Sequence, residues 1–236
     1  MKKIVVLNHK MYLTYDEACL LKSGYDEINL NNVDLIVCPS YLNLHIFNNY
    51  NIGAQNCFYE DTGAYTGEVS AYQLSLRNVR YSIIGHSERR NIETDEVINK
   101  KVKACQRNGI TPILCIGETK YQKEMMKTGE VLKKQLKLDL DGINKEDVIY
   151  IAYEPIYNIG SKKKLKLSDI NDALIYIRKT LEEMKIYNYK LLYGGSVTKE
   201  NIPNIISDNI NGYLIGHASV KKDEIKNIIN CINSVK

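Results

Sequence analysis

The residues that could do chemistry sit in short polar segments, each placed directly after an apolar run. Asn8-His9-Lys10 follows the first run, Gly85-His86-Ser87-Glu88 the fourth and Glu154-Pro155 the sixth. Gly194-Gly195-Ser196 and Gly216-His217 follow the last two. Glu154 can accept a proton. His86 stands where a helix would begin, so a backbone N–H can donate to its ring and keep it neutral. Lys10 supplies a fixed positive charge. The two glycine-bearing turns offer backbone N–H groups to an anion, as the phosphate sites of closed barrels do. The set amounts to a base, an electrophile, a cation and a phosphate cradle, suited to a small anionic substrate.

These segments need elements that bring them to one place. The apolar runs Ile4–Asn8, Val33–Cys38, Asn51–Gln55, Tyr81–Gly85, Thr111–Ile116, Val148–Tyr153, Lys190–Tyr193 and Gly212–Ile215 predict strands. They are nearly continuous in apolar residues, as parallel strands buried on both faces are. Helices are predicted between them, at Asp16–Asn29, Asp95–Arg107, Glu118–Leu138, Ser168–Met184, Thr198–Ser207 and Val220–Asn233. Weaker patterns lie near Tyr41–Asn48 and Val69–Leu76. Thr14 with Glu17 predicts a capping box at the first helix. Eight β/α units in 236 residues average about 30 residues each, the repeat length of an α/β (β/α)8 barrel. An open doubly wound sheet would place a glycine fingerprint after its first strand, and Asn8-His9-Lys10 is not one. No linker or low-complexity stretch divides the chain, so residues 1–236 are expected to form a single closed-barrel domain.

Composition narrows the function class. The chain is 44% hydrophobic and 25% charged, with a net charge of +4. The lysines are scattered, so no basic stripe for nucleic acid is present. Six cysteines at 19, 38, 57, 105, 115 and 231 show no CxxC or zinc spacing. They are expected to be free thiols in a reducing compartment. The apolar run Ile4–Leu7 is too short for a signal peptide, and no stretch matches a membrane span. A cytoplasmic location is expected, with no membrane or nucleic-acid partner.

Eight segments in order resemble those of the triosephosphate isomerase family. They are NxK at 8–10, AQN at 54–56, GAYTGEVSA at 63–71, IGHSERR at 84–90, CIGE at 115–118, YEPIYNIG at 153–160, YGGSV at 193–197 and LIG at 214–216. The resemblance covers essentially the whole chain. It implies a homodimer that interconverts dihydroxyacetone phosphate and glyceraldehyde 3-phosphate with no cofactor and no metal. It also implies roles. Glu154 is the base and His86 the neutral electrophile, a pairing of which this family is the standard example. Lys10 and Asn8 stabilise the oxyanion. Gly160, Ser196, Gly216 and His217 donate backbone N–H groups to the phosphate. Pro155–Lys164 forms a lid that excludes water. Ser87 and Glu88 support, with Ser87 holding the Glu154 carboxylate in the open state. Thr66, in the loop Asn56–Ser70, reaches across to the second subunit.

Other residues in these segments have structural expectations. Arg89 and Arg90 should pair with acids such as Glu68, Cys115 should pack, and Gln55 with Asn56 should shape the first loop. Glu118 is read as a helix-start acid that also meets the lid. Three departures from the family pattern stand out. His217 replaces a second glycine, Gly160-Ser161-Lys162-Lys163-Lys164 replaces a two-glycine lid tip, and His9 and Tyr157 stand where tryptophans are usual. A non-glycine residue costs roughly 1–2 kcal/mol if position 217 requires a positive φ. Two alternatives remain at this point: a divergent paralogue acting on another ketose phosphate such as erythrulose phosphate, and a catalytically silent barrel.

Overall fold

The computed structural model describes residues 2–158 and 165–234. Eight parallel strands close into a barrel in chain order. They are β1 (Lys3–Asn8), β2 (Val33–Cys38), β3 (Asn51–Ala54), β4 (Tyr81–Ile84), β5 (Thr111–Ile116), β6 (Ile149–Tyr153), β7 (Tyr189–Tyr193) and β8 (Gly212–Ile215). Closure is made by β1 on β8, where Ile4 pairs with Gly212 and Leu7 with Ile215. The α/β (β/α)8 barrel expected from the sequence is therefore the architecture found.

The strands are apolar on both faces because both faces are buried. Ile4, Val6, Ile36, Cys38, Ile83, Ile113, Cys115, Ala152, Leu192 and Leu214 point inward and fill the barrel. Their neighbours Val5, Leu7, Leu35, Val37, Ile84, Leu114, Ile116, Ile151, Leu191 and Ile215 point outward, beneath the helices. The two-residue period of a strand divides one run between two cores. Tyr81 and Tyr150, at the first turns of β4 and β6, close the opposite end of the barrel from the site, with ring centroids 5.7 Å apart.

The helices are α1 (Tyr15–Tyr25), α2 (Ala71–Ser75), α3 (Ser87–Arg90), α4 (Asp95–Arg107), α5 (Lys120–Glu124), α6 (Thr128–Asp139), α7 (Leu167–Glu183), α8 (Ile202–Ile205) and α9 (Lys222–Ser234). The capping box of α1 is present: Thr14 accepts from the Glu17 backbone, and the Glu17 carboxylate accepts from Thr14 N–H at 2.9 Å. Four expectations need correction. The span Tyr41–Phe47 is a 3-10 turn instead of an α-helix. Glu118–Leu138 is two helices, because Met126 adopts φ 57° and turns the chain between α5 and α6. Thr198–Ser207 shrinks to α8, since Pro203 lacks an N–H and fits only the first helical turn. The strand ends at Gln55 and Gly85 fall outside β3 and β4, leaving both residues free to turn into the site. No described helix is long and apolar enough to cross a membrane.

Candidate active site

The polar segments meet at the carboxyl ends of the strands, as barrel topology requires. Asn8 ends β1 and is 5% exposed. Its Oδ1 accepts from Lys10 N–H at 3.1 Å, which bends the chain so that Lys10 takes φ 50°. Left-handed backbone at a lysine is strained. It is held from two sides. Gln55 Nε2 donates to Lys10 O at 2.8 Å and to Cys38 O at 3.0 Å, and Ser219 Oγ donates to Asn8 O at 2.9 Å. Gln55 thus shapes the first loop as expected. Tyr41 Oη in turn donates to Asn56 O at 2.6 Å.

Lys10 Nζ lies 2.6 Å from Glu88 Oε1. Partial burial pushes the Glu88 carboxyl up, but Lys10 and His86 more than offset this and hold it below the usual carboxylate range. The Lys10 stem also reaches β8. A β-carbon on Gly216 would stand 3.2 Å from Lys10 Cε, so a glycine here lets the ammonium cross the barrel mouth.

His86 follows Gly85, whose φ of +67° turns the chain out of β4. It is the N-cap of α3, and its Nδ1 accepts from Glu88 N–H at 3.2 Å. An accepting Nδ1 carries no proton, so the hydrogen of the neutral ring is on Nε2. Nε2 stands 3.4 Å from Glu154 Oε1. Glu154 is 3% exposed, and its other oxygen accepts from Ser87 N–H at 3.3 Å. The contact of Ser87 with the carboxylate is made by its backbone. Gly194 makes room for this: a β-carbon there would lie 2.8 Å from Glu154 Cγ.

The structure thus brings Asn8, Lys10, His86, Ser87, Glu88 and Glu154 together, with Gly194 and Gly216 against them. A cavity of about 560 Å³ opens beside them, lined among others by Asn8, Lys10, Tyr12, Gln55, His86 and Glu88. Ser196 follows β7, and its carbonyl accepts from Asn201 Nδ2. His217 is exposed and starts a 3-10 turn after β8. Its ring meets Tyr12 edge-on, with centroids 5.8 Å apart. Position 217 has no positive φ, so the strain considered for a histidine there does not arise. Thr66 sits on the exposed stretch 62–68. Gly160 and most of the lid, 159–164, lie outside the described residues.

Several neighbours differ from expectation. Arg89 Nε donates to Glu93 at 2.6 Å, and Arg90 pairs with Asp95 and Asp139 and donates to Cys115 O. Their acids are those nearest along α4 and beneath it, not Glu68. Glu118 precedes α5, which Thr119 caps, and is fully buried. Its Oε1 accepts from Tyr153 Oη at 3.0 Å and from Thr128 Oγ1 at 3.1 Å. Burial and the nearby Glu118 carboxylate push the Tyr157 hydroxyl up to about 12. Asn158 Nδ2 donates to Tyr193 Oη at 3.2 Å, anchoring the base of the lid segment to β7. Asn158 and Ser219 were not singled out by sequence. The closure of β8 on β1 is the signal that points to Ser219.

Comparison with known proteins agrees with this geometry. The family model described as triosephosphate isomerase matches residues 3–232. The chain belongs to the triosephosphate isomerase family. It is an isomerase. The triosephosphate isomerase of Dehalococcoides mccartyi is 42% identical over 97% of this chain and 96% of its own. That of Dictyoglomus thermophilum is 40% identical over 97% and 98%. The triosephosphate isomerase of Thermodesulfovibrio yellowstonii is 40% identical over 93% and 95%.

Proposed function

We propose that the isomerisation of dihydroxyacetone phosphate and glyceraldehyde 3-phosphate is divided among four side chains of this enzyme. Glu154 removes the proton from the carbon beside the carbonyl. His86 donates its Nε2 hydrogen to the carbonyl oxygen and returns protons between the two oxygens of the enediol. Lys10 and Asn8 stabilise the charge that develops on oxygen. The observation that carries this reading is that His86 Nδ1 accepts from Glu88 N–H at 3.2 Å while its Nε2 faces the buried Glu154 at 3.4 Å. A neutral donor and a desolvated carboxylate are the pair needed to share one substrate's carbonyl and its neighbouring C–H.

The phosphate is assigned to backbone N–H groups at Gly160, Ser196, Gly216 and His217, with the Lys10 ammonium nearby. No protein group needs a metal or cofactor for these steps. Lid closure over 155–164 would exclude water from the enediol, whose phosphate is otherwise eliminated.

A homodimer is part of the same reading. Met11, Tyr12, Tyr41 and Arg89 line part of the cavity, and Met11 is 95% exposed. The loop carrying Thr66 is the segment assigned to cover these residues in a second copy. Sedimentation at micromolar concentration with only a 27 kDa species would overturn the dimer. Free thiols at all six cysteines support a cytoplasmic location.

The test of substrate is a coupled assay with glyceraldehyde 3-phosphate beside erythrulose phosphate. Fast triose turnover supports the reading. Slow triose turnover with faster tetrulose turnover would make His217 a specificity element instead.

A further inference from the structure

One thiol pair touches. Cys57 Sγ and Cys105 Sγ are 3.5 Å apart, and both residues are fully buried. Cys57 belongs to the root of the loop after β3, and Cys105 to α4. The same helix grips that root on either side of the sulfurs. Lys101 Nζ donates to Asn56 Oδ1 at 2.9 Å, and Asn108 Nδ2 donates to Asp61 Oδ1 at 2.9 Å. The sulfurs are therefore pressed together by flanking polar bonds and by the packing of the loop on α4.

We infer that Cys57 and Cys105 form a redox-modification site, which a hydroperoxide converts to a disulfide stapling the root of the 56–70 loop to α4. The covalent S–S length is about 2.05 Å, so the sulfurs must close by about 1.5 Å. The chemistry has two steps. The Cys57 thiolate attacks a peroxide oxygen; an S–O bond forms, the O–O bond breaks, and the leaving hydroxide takes a proton to become water. Sulfur is oxidised and peroxide oxygen reduced. Cys105 then attacks the Cys57 sulfenic sulfur; S–S forms, S–O breaks, and the hydroxide leaves as water with the Cys105 proton. Two thiols and one hydroperoxide give one disulfide and two hydroxyl-bearing products.

The surroundings assign the order. The Cys105 thiol hydrogen-bonded to Cys57, together with the Lys101 ammonium, holds the Cys57 thiol below its ordinary range despite burial. The shared hydrogen bond, burial and the Cys57 charge push Cys105 up. Cys57 is the attacking sulfur and Cys105 the resolving one. The buried Ser82 hydroxyl has no hydrogen-bond partner among the described residues and lies near both sulfurs. The other four cysteines lack such a pairing. Cys38 and Cys115 are walled inside the barrel, and Cys19 and Cys231 sit on separate helices.

The experiment treats the folded wild-type protein with hydrogen peroxide and maps its mass without reduction. The expected result is loss of two hydrogens, with residues 57 and 105 in one cross-linked peptide that dithiothreitol separates. Cys105→Ala, or Cys105→Ser if the alanine variant does not fold, should instead gain one and then two oxygens on Cys57, the second irreversibly. Cys57 gaining two oxygens in the wild type without a cross-link would overturn the inference. So would reaction at Cys19 and Cys231 with none at the pair.

Discussion

His86 Nε2 faces Glu154 Oε1 at 3.4 Å while its Nδ1 accepts from the Glu88 backbone at 3.2 Å. One ring therefore does two jobs. It caps the short helix α3 and, in the proposed mechanism, presents a hydrogen to the substrate. Substitutions at 86 can separate these jobs.

His86→Asn keeps a side-chain acceptor for the cap and loses the ring. It should cost roughly 10²–10⁴-fold in kcat, the range for loss of a positioned acid–base group, with the thermal midpoint nearly unchanged. His86→Ala should cost about as much activity and also about 1 kcal/mol of stability from the lost cap. Steady-state kinetics beside urea unfolding checks both. Equal stability of the two variants would remove the capping role.

Gln55→Ala removes the donor that holds Lys10 O and Cys38 O. Lys10 then loses part of the support for its φ of 50°. Its ammonium should wander, and kcat/KM should fall about 10–100-fold, since displacements near 1 Å carry such costs. Stability should fall by about 1–2 kcal/mol for two lost hydrogen bonds. Unchanged kcat/KM would show that Lys10 is positioned without Gln55.

His9 carries a pH dependence of stability. Its Nε2 is 3.0 Å from Tyr25 Oη, and the Tyr25 hydroxyl donates onward to Ser219 O. His9 Nε2–H is thus the donor, and the buried, unprotonated Nδ1 has no hydrogen-bond partner among the described residues. Burial lowers its pKa from 6.5 to about 3. A depressed folded pKa means the stabilisation is complete above pH 6.5 and is lost as pH falls toward 3. At about 1.4 kcal/mol per pH unit the loss is at most about 5 kcal/mol. Asp139 acts in the opposite sense: burial, opposed by Arg90, raises its pKa from 3.8 to about 7, so its contribution is lost as pH rises through that window. The two slopes partly cancel in the wild type. His9→Phe removes the His9 slope, so acid unfolding should be shifted to lower pH in that variant. Identical acid transitions for both proteins would contradict the assignment.

His217→Gly should not stabilise the protein. The histidine already occupies an unstrained 3-10 turn. Glycine there should cost about 0.5–1 kcal/mol by adding freedom to the unfolded chain. A gain of stability in chemical denaturation would mean that position 217 is strained after all.

Much of this was legible in the sequence because buried parallel strands read as unbroken apolar runs. Val33–Cys38 and Thr111–Ile116 were placed to the residue. Asn8, Lys10, His86 and Glu154 were legible because their types and their places after strands leave few other uses. Interruptions were less legible. Met126 breaks α5 from α6 through one left-handed residue, which leaves apolar periodicity untouched. Ion-pair partners were not legible either. Arg90 finds Asp139 across 49 residues because β4, β5 and α6 pack around it, and side-chain reach is set by that packing. Ser219 is coupled to Asn8 only once β8 closes on β1.

The central claim is that Glu154 moves the proton, and its most direct test is isotope exchange. Wild-type enzyme and Glu154→Gln are incubated with dihydroxyacetone phosphate in deuterated water, and the carbon-bound deuterium of substrate and product is followed by NMR. The account predicts deuterium beside the carbonyl with the wild type, and a loss of roughly 10²–10⁴-fold in both exchange and interconversion with the folded variant. Exchange at the wild-type rate in Glu154→Gln would contradict it.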